Sequence, residues 1–269
     1  MPGKNRKRLF TGRGMSQPTA DDNLWCRRFH PGRKATARLV CLPHAGGSAP
    51  FFLPVSAALS PVVDVVAMQY PGRQDRRVEQ PISDMMALAD RIYDILRRQP
   101  PLPLTFFGHS MGAIAAFEVI SRLESDGQGA VRLFASGRRA PSTHRDDKVH
   151  LRDDAGILDE LRKLSGTASS LLGDDEMMRA ALPALRADYQ AIETYRCTAD
   201  VTVACPITVL TGDSDPKTSL DEAKAWAQHT TGAFDIHVYP GGHFFLTDHA
   251  EQILKLLHQH FLAGRTYPA

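Results

Sequence analysis

Short apolar runs alternate with helical patterns along most of the chain. The apolar runs mostly end at Gly or Pro and predict buried strands over residues 38–42, 62–69, 104–107, 131–136, 207–211 and 235–239. Apolar residues at helical spacing predict helices over residues 85–96, 111–124, 219–229 and 249–262. This alternation predicts an α/β fold with an open, mostly parallel sheet that is covered by helices on both faces.

The segment between residues 141 and 204 interrupts the alternation. It contains no convincing strand, and its charged patterns predict helices over residues 155–164 and 174–195. In open parallel sheets ligands bind at the carboxyl ends of the strands, and an insertion between two strands would cover that edge. We therefore interpret residues 142–204 as a helical lid, although a solvated helical decoration fits the same pattern.

Composition and charge narrow the class of protein. Of the 269 residues, 43% are hydrophobic and 23% are charged, which excludes collagen-like, coiled-coil and wholly disordered proteins. The formal charge is +2, but residues 1–14 contain five basic residues and no acid. The rest of the chain is therefore mildly acidic, and its charge gives no reason to expect a nucleic-acid partner. The uncharged stretch over residues 39–63 contains four prolines and two glycines, which predicts no membrane span.

The start of the chain differs from its body. Residues 1–23 are polar and basic without periodicity, and we interpret them as a disordered extension before a single domain over residues 24–269. The extension lacks the apolar region of a secretion signal. The four cysteines form no C-x-x-C pair, which suggests neither a zinc site nor a disulfide framework and favours a cytoplasmic location.

A G-x-S-x-G motif lies between a predicted strand and a predicted helix. It comprises residues 108–112, with Ser110 at its centre. A sharp strand-to-helix turn would leave the Ser110 hydroxyl exposed, and the flanking glycines would let neighbouring backbone pass closely. The start of the following helix can stabilise an oxyanion. Ser110 is therefore the candidate nucleophile.

A serine nucleophile needs a base and an acid, and both follow later strands. His243 lies in a Gly-containing loop after the last predicted strand, and it is the candidate general base. Asp213 and Asp215 both follow the preceding strand, and spacing alone does not separate them. We favour Asp215, because Asp213 lies closer to the strand end and Pro216 rigidifies the turn that Asp215 begins. We expect His109 to serve in packing, and we expect surface positions for His229, His237, His249, His258 and His260.

The loop after the first predicted strand is the candidate for the second half of an oxyanion hole. It contains Gly46 and Gly47, and the chemistry requires backbone N–H groups rather than side chains. We predict the N–H groups of Ala45 and Met111 as the paired donors. An ordinary tight turn is the alternative reading of this glycine pair.

These motifs resemble those of the type II, or external, thioesterases that accompany modular polyketide synthases and nonribosomal peptide synthetases. The matching motifs are L-P-H-A-G-G-S at residues 42–48, Q-Y-P-G-R-Q-D-R at 69–76, F-G-H-S-M-G-A at 107–113, G-D-S-D-P at 212–216 and P-G-G-H-F-F at 240–245. The resemblance implies an α/β-hydrolase fold with a helical lid. It also implies that the acid is the second aspartate of the G-x-x-D-P turn, which is Asp215.

The resemblance further implies a substrate and a partner. The expected reaction is hydrolysis of an acyl thioester from the phosphopantetheine arm of an acyl or peptidyl carrier protein, which clears aberrant or stalled chains without a metal or cofactor. We expect a monomer. Arg73, Arg76 and Arg77 are candidates for docking an acidic carrier, although local ion pairs are their more usual role. The lid residues that could enclose the acyl chain are Leu158, Leu161, Leu164, Leu171, Leu172, Met177 and Met178.

Two other functions remain open on the same residues. A carboxylesterase or lipase would use the same catalytic set on oxygen esters. A non-catalytic acyl-binding homologue would keep the pocket, but binding alone does not require Ser110, Asp215 and His243 together.

Overall fold

Seven strands form one sheet in the computed structural model, which describes residues 20–32, 34–165 and 175–263. The sheet order is β1-β3-β2-β4-β5-β6-β7, and only β1 is antiparallel to its neighbour. The strands are β1 (Cys26–Arg27), β2 (Ala37–Leu42), β3 (Val63–Met68), β4 (Leu104–His109), β5 (Arg132–Ser136), β6 (Ile207–Gly212) and β7 (Phe234–Tyr239). The predicted six strands and the mostly parallel sheet are thereby confirmed; β1, with two residues, is too short to leave a pattern in the sequence.

Helices connect the strands and cover both faces of the sheet. They are α1 (Ala20–Trp25), α2 (Leu53–Leu59), α3 (Met85–Leu96), α4 (Met111–Ser125), α5 (Asp154–Ser165), α6 (Asp175–Thr194), α7 (Leu220–Lys224), α8 (Phe245–Asp248) and α9 (Ala250–Ala263). Asp84 caps α3 by accepting a hydrogen bond from the N–H of Ala87 at 2.8 Å, as its position before the apolar pattern predicts. The predicted helix over residues 219–229 is α-helical only as far as Lys224 and continues as a 3₁₀ helix.

The start of the ordered domain differs from the prediction. Helix α1 begins at Ala20, so the predicted disorder is wrong for residues 20–23; residues 1–19 lie outside the described residues. Tertiary contacts explain the helix, because Asp22 accepts a hydrogen bond from Arg98 at 2.7 Å and the buried Trp25 ring lies 4.6 Å from the Arg76 guanidinium.

Alternate residues of each strand enter two separate cores. Val40 and Leu42 of β2 pack with α3 and α4, whereas Leu39 and Cys41 pack with residues of α2 and α9 on the other face. All four side chains are fully buried. The sheet is therefore rigidly held from both sides, and its strand ends form a fixed edge for functional side chains.

The chain between β5 and β6 carries α5 and α6, and its described part contains no strand of the sheet. The two helices share a small apolar cluster that includes Ile157, Leu158, Leu185 and Tyr189. Leu171 and Leu172 lie outside the described residues, as do the side chains of Met177 and Met178. Across the described ranges, no helix has the length and apolar character that a membrane crossing requires.

Candidate active site

Ser110 lies in a strained turn between β4 and α4. Its backbone has φ 54° and ψ −116°, a combination that costs a non-glycine residue about 1–3 kcal/mol. A Cβ atom at Gly108 would lie 2.2 Å from the carbonyl oxygen of Gly112, and a Cβ atom at Gly112 would lie 2.1 Å from that of Leu42. The two glycines therefore let β2, β4 and α4 approach closely enough to hold the turn.

His243 and Asp215 form a buried hydrogen-bonded pair at the ends of β7 and β6. The Nδ1–H group of His243 donates to the Asp215 carboxylate, with Nδ1–O distances of 2.9 and 3.1 Å. The side chains of His243 and Asp215 are 3% and 0% exposed. Asp213 is exposed and accepts a hydrogen bond from the N–H of Gly241 at 3.0 Å. The geometry thus joins Asp215, and not Asp213, to the histidine.

Ser110 and His243 line one cavity. Ala45 and Met111 line the same cavity. Met111 is the first residue of α4, so its N–H group has no acceptor within the helix and lies at the positive end of the helix dipole. In the described ranges, no group of three or more His, Cys, Asp or Glu side chains is arranged to hold a metal ion.

A buried ion pair fixes the loop that contains Ala45. Asp188 of α6 accepts a hydrogen bond from the N–H of Gly46 at 2.7 Å and pairs with Arg73 through two contacts of 2.6 and 2.9 Å. The side chains of Arg73 and Asp188 are 7% and 2% exposed. Although burial opposes the charge on Arg73, the attraction of Asp188 outweighs it and raises the pKa of Arg73. The ion pair connects α6 to the loops after β2 and β3.

The docking hypothesis is wrong for two of the three arginines after β3. Arg73 is buried against Asp188, and Arg76 is 3% exposed because it pairs with Glu79 and covers the Trp25 ring. Both side chains hold the strand-end loop in place and present no charge to a partner. Arg77 is exposed.

Two histidines of the motifs pack beside the cavity. His109 is fully buried, its Nδ1 lies 3.0 Å from the Ser136 hydroxyl, and its ring centroid lies 5.2 Å from that of His243. The ring of His44 lies 5.7 Å from that of His109. His109 therefore packs as predicted.

The surface prediction for His229 is wrong. This side chain is fully buried, with Nε2 2.8 Å from the Ser142 hydroxyl and Nδ1 donating to the carbonyl oxygen of Val201 at 2.8 Å. Both partners come from distant parts of the chain, and no local pattern marks them.

Comparison with known proteins places the chain in a family. The family model of the thioesterase domain matches residues 37–261, which include the turn of Ser110 and the pair of Asp215 and His243. The chain belongs to the thioesterase family. It is therefore a thioester hydrolase, and the predicted resemblance is confirmed.

Several members of this thioesterase family are similar over nearly the whole chain. A probable cadicidin biosynthesis thioesterase of Streptomyces griseus is 50% identical over 270 residues, which cover 100% of this chain and 75% of that protein. The thioesterase PikA5 of Streptomyces venezuelae is 46% identical over 92% of this chain and 89% of its own length. The solved structure of the type II thioesterase BorB from the borrelidin biosynthetic cluster superposes with a TM-score of 0.85 at 47% identity, covering 88% of this chain and 98% of that one. The expected α/β-hydrolase fold is thereby confirmed.

The Asp188→Asn variant of this thioesterase tests the role of the buried ion pair. It leaves the Arg73 charge unpaired, so we expect the free energy of unfolding to fall by about 3–5 kcal/mol. We expect kcat to fall by about 10- to 100-fold, with a smaller change in KM, because the loop of Ala45 loses its support. Urea unfolding and steady-state kinetics measure both effects.

The exposed pair of Asp94 and Arg97 supplies a matched control. Asp94→Asn removes an ion pair of 2.9 Å whose side chains are 44% and 42% exposed. It should change the free energy of unfolding by less than about 1 kcal/mol and leave kcat unchanged. Equal effects of Asp188→Asn and Asp94→Asn would contradict a positioning role for Asp188.

Stability should depend on pH through histidines whose pKa is lowered in the folded chain, and His44 and His109 are two of these. Burial lowers the pKa of His44 to about 3 and that of His109 well below its usual value, and the nearby His243 adds to both effects. A histidine of the unfolded chain has a pKa of about 6.5, so the unfolded chain takes up protons in a range where the folded chain does not. The free energy of unfolding should therefore fall as the pH decreases from about 6.5, by about 1.4 kcal/mol per pH unit for each histidine.

Urea unfolding across this pH range measures the slope. We expect His44→Gln to flatten it by the contribution of one group between about pH 6.5 and the folded-state pKa of about 3. An unchanged slope in the variant would show that His44 is protonated in the folded chain, against this account.

Proposed function

We propose that this thioesterase hydrolyses acyl groups from the phosphopantetheine arm of acyl or peptidyl carrier proteins. It would thereby remove aberrant or stalled chains from a polyketide or nonribosomal peptide assembly line. The observation that carries the proposal is the single cavity lined by Ser110 and by His243, with His243 hydrogen bonded to the buried Asp215. The relatives support the class of substrate, since they include the type II thioesterase BorB from the borrelidin biosynthetic cluster, a probable cadicidin biosynthesis thioesterase and the thioesterase PikA5.

The proposed reaction begins with attack of the Ser110 oxygen on the thioester carbonyl. His243 accepts the serine proton, and Asp215 holds its Nδ1–H tautomer and stabilises the imidazolium. The N–H groups of Ala45 and Met111 donate hydrogen bonds to the oxyanion of the tetrahedral intermediate. The C–S bond then breaks, the thiol leaves with the proton from His243, and an acyl-serine ester remains.

The second half of the reaction regenerates the enzyme. His243 accepts a proton from water as the water oxygen attacks the acyl-serine carbonyl, and the same two N–H groups stabilise the second oxyanion. Collapse returns the proton to Ser110 and releases the acyl group as a free acid. Every proton in this scheme moves through His243, so no metal or cofactor is required.

Helices α5 and α6 would act as the lid over the cavity, since Leu161 and Leu164 of α5 and Ile192 of α6 line it. We propose a monomeric, cytoplasmic enzyme, in keeping with four free cysteines.

Presenting one acyl group in three forms tests the proposal. We would measure kcat/KM for hexanoyl groups carried on a holo-carrier protein, on free pantetheine and as an ethyl ester. The proposal predicts the highest kcat/KM for the carrier, because contacts with the arm and the carrier add to recognition of the acyl group. Faster cleavage of the ethyl ester would favour the carboxylesterase reading, and failure on all three forms would favour the non-catalytic one.

A further inference from the structure

Arg138 is a charged residue of the cavity that lacks a partner. It follows β5 and lines the cavity together with Ser110 and His243. Among the described residues its guanidinium makes no hydrogen bond or ion pair; the side chain is partly exposed, but its Nε atom is fully buried. Buried polar and charged groups are normally satisfied, because an unpaired one costs free energy. The unpaired, buried Nε–H group in the wall of the cavity that Ser110 lines therefore points to a ligand group that completes it.

The other charged side chains of the cavity wall already have partners. Arg139 and Lys217 lie 3.5 and 3.6 Å from the Asp147 carboxylate. Glu193 accepts hydrogen bonds from two backbone N–H groups at 2.9 and 3.0 Å. Arg138 is thus the cation of the wall that makes no direct hydrogen bond or ion pair among the described residues, although the Asp147, Glu193 and Glu222 carboxylates are near enough to act on its charge.

The surroundings of Arg138 disfavour its charge. Burial, with a further contribution from Arg139, lowers the pKa of Arg138 to about 9, although the Asp147, Glu193 and Glu222 carboxylates act in the opposite direction; the group is still protonated at neutral pH. A guanidinium presents a planar set of donors that matches the oxygens of carboxylates and carbonyls. A substrate oxygen would satisfy donors that the protein leaves open.

We infer that Arg138 binds an acceptor oxygen on the acyl chain of the substrate, a carbonyl or carboxylate beyond the thioester itself. This inference rests on the proposed function. The acyl chain is the part of the substrate that enters the cavity past Ser110, because the phosphopantetheine arm leads back to a carrier protein outside. A saturated chain would cover Arg138 without offering it a partner, and sites built to hydrogen bond a substrate discriminate against analogues that lack the polar group.

Carrier proteins loaded with butyryl, 3-oxobutyryl or malonyl groups test the inference. We would measure kcat/KM for each carrier with wild type, Arg138→Met and Arg138→Lys. We expect Arg138→Met to lower kcat/KM by about 10- to 100-fold on at least one oxygenated chain and to leave the butyryl carrier within about threefold of wild type. Arg138→Lys should retain part of the preference. Comparison of the 3-oxobutyryl carrier with the malonyl carrier shows whether Arg138 binds a neutral carbonyl or a carboxylate.

Other outcomes overturn the inference or the function beneath it. Equal losses on all three carriers would assign Arg138 to the arm or to folding, and no loss on any carrier would leave it without a role in recognition; either result overturns the inference. Failure of wild type on every carrier would instead overturn the proposed function. Arg97→Met, at a site 42% exposed and outside the cavity wall, is the matched control and should change none of the three values.

Thermal unfolding provides a readout that is independent of activity. Removal of an unpaired cation should leave the melting temperature of Arg138→Met equal to that of wild type or higher. A melting temperature several degrees lower in Arg138→Met, restored in Arg138→Lys, would contradict the unpaired state on which the inference depends.

Discussion

Replacing Ser110 by Ala should lower kcat on an acyl-carrier protein by about 10⁴- to 10⁶-fold. The hydroxyl stands in a strained turn at the start of α4, in the cavity that His243 also lines. Alanine removes the nucleophile and leaves the packing of the turn unchanged, so substrate binding should persist while the covalent step is lost. Single-turnover release of holo-carrier, followed by mass spectrometry, measures the loss.

An exposed serine near the site supplies the control for this substitution. Ser214→Ala alters the loop after β6, where the Ser214 side chain makes no described hydrogen bond, and it should retain full activity. A fluorophosphonate should label wild type and Ser214→Ala but not Ser110→Ala. Labelling that persists in Ser110→Ala would assign the reactive serine elsewhere.

The two aspartates after β6 should differ by orders of magnitude. Asp215→Asn should lower kcat by about 10³- to 10⁴-fold, because an amide can donate to Nδ1 and stabilise the wrong tautomer of His243. Asp213→Asn should change kcat by less than about threefold, since Asp213 is exposed and contacts only the backbone N–H of Gly241.

The same single-turnover assay on both variants compares their kcat values directly. Circular dichroism and thermal unfolding would verify that each variant is folded. Equal losses in the two variants, or a larger loss in Asp213→Asn, would contradict the assignment of the acid.

The sheet and the turn of Ser110 could be predicted because their signals are local. Buried strands such as β4 are continuous apolar runs, and the Gly108–Gly112 spacing marks a close approach that only glycine allows. Helix α2 left no such signal in the sequence. Its seven residues are too few to show a clear helical period, and it contains Pro54, which is tolerated because it lies in the first turn, where no backbone donor is needed.

The parts of the site that could not be predicted depend on contacts between distant segments. Asp188 appears in sequence as one more polar residue of an amphipathic helix, and its partner Gly46 lies 142 residues away. His229 and Arg138 are similar cases, because burial or the lack of a partner is decided by the packing around them. Spacing alone did not separate Asp213 from Asp215; the turn with Pro216 favoured Asp215, and the motif resemblance supported it.

The most direct test of the account is to trap the acyl-enzyme. Wild type and Ser110→Ala would be mixed with acyl-carrier protein, quenched in acid at short times and analysed by intact-protein and peptide mass spectrometry. The account predicts that, in wild type, the acyl mass leaves the carrier, appears transiently on the peptide that contains Ser110, and is absent from Ser110→Ala throughout. Conversion to holo-carrier at an undiminished rate in Ser110→Ala, or an acyl group on another residue, would contradict it.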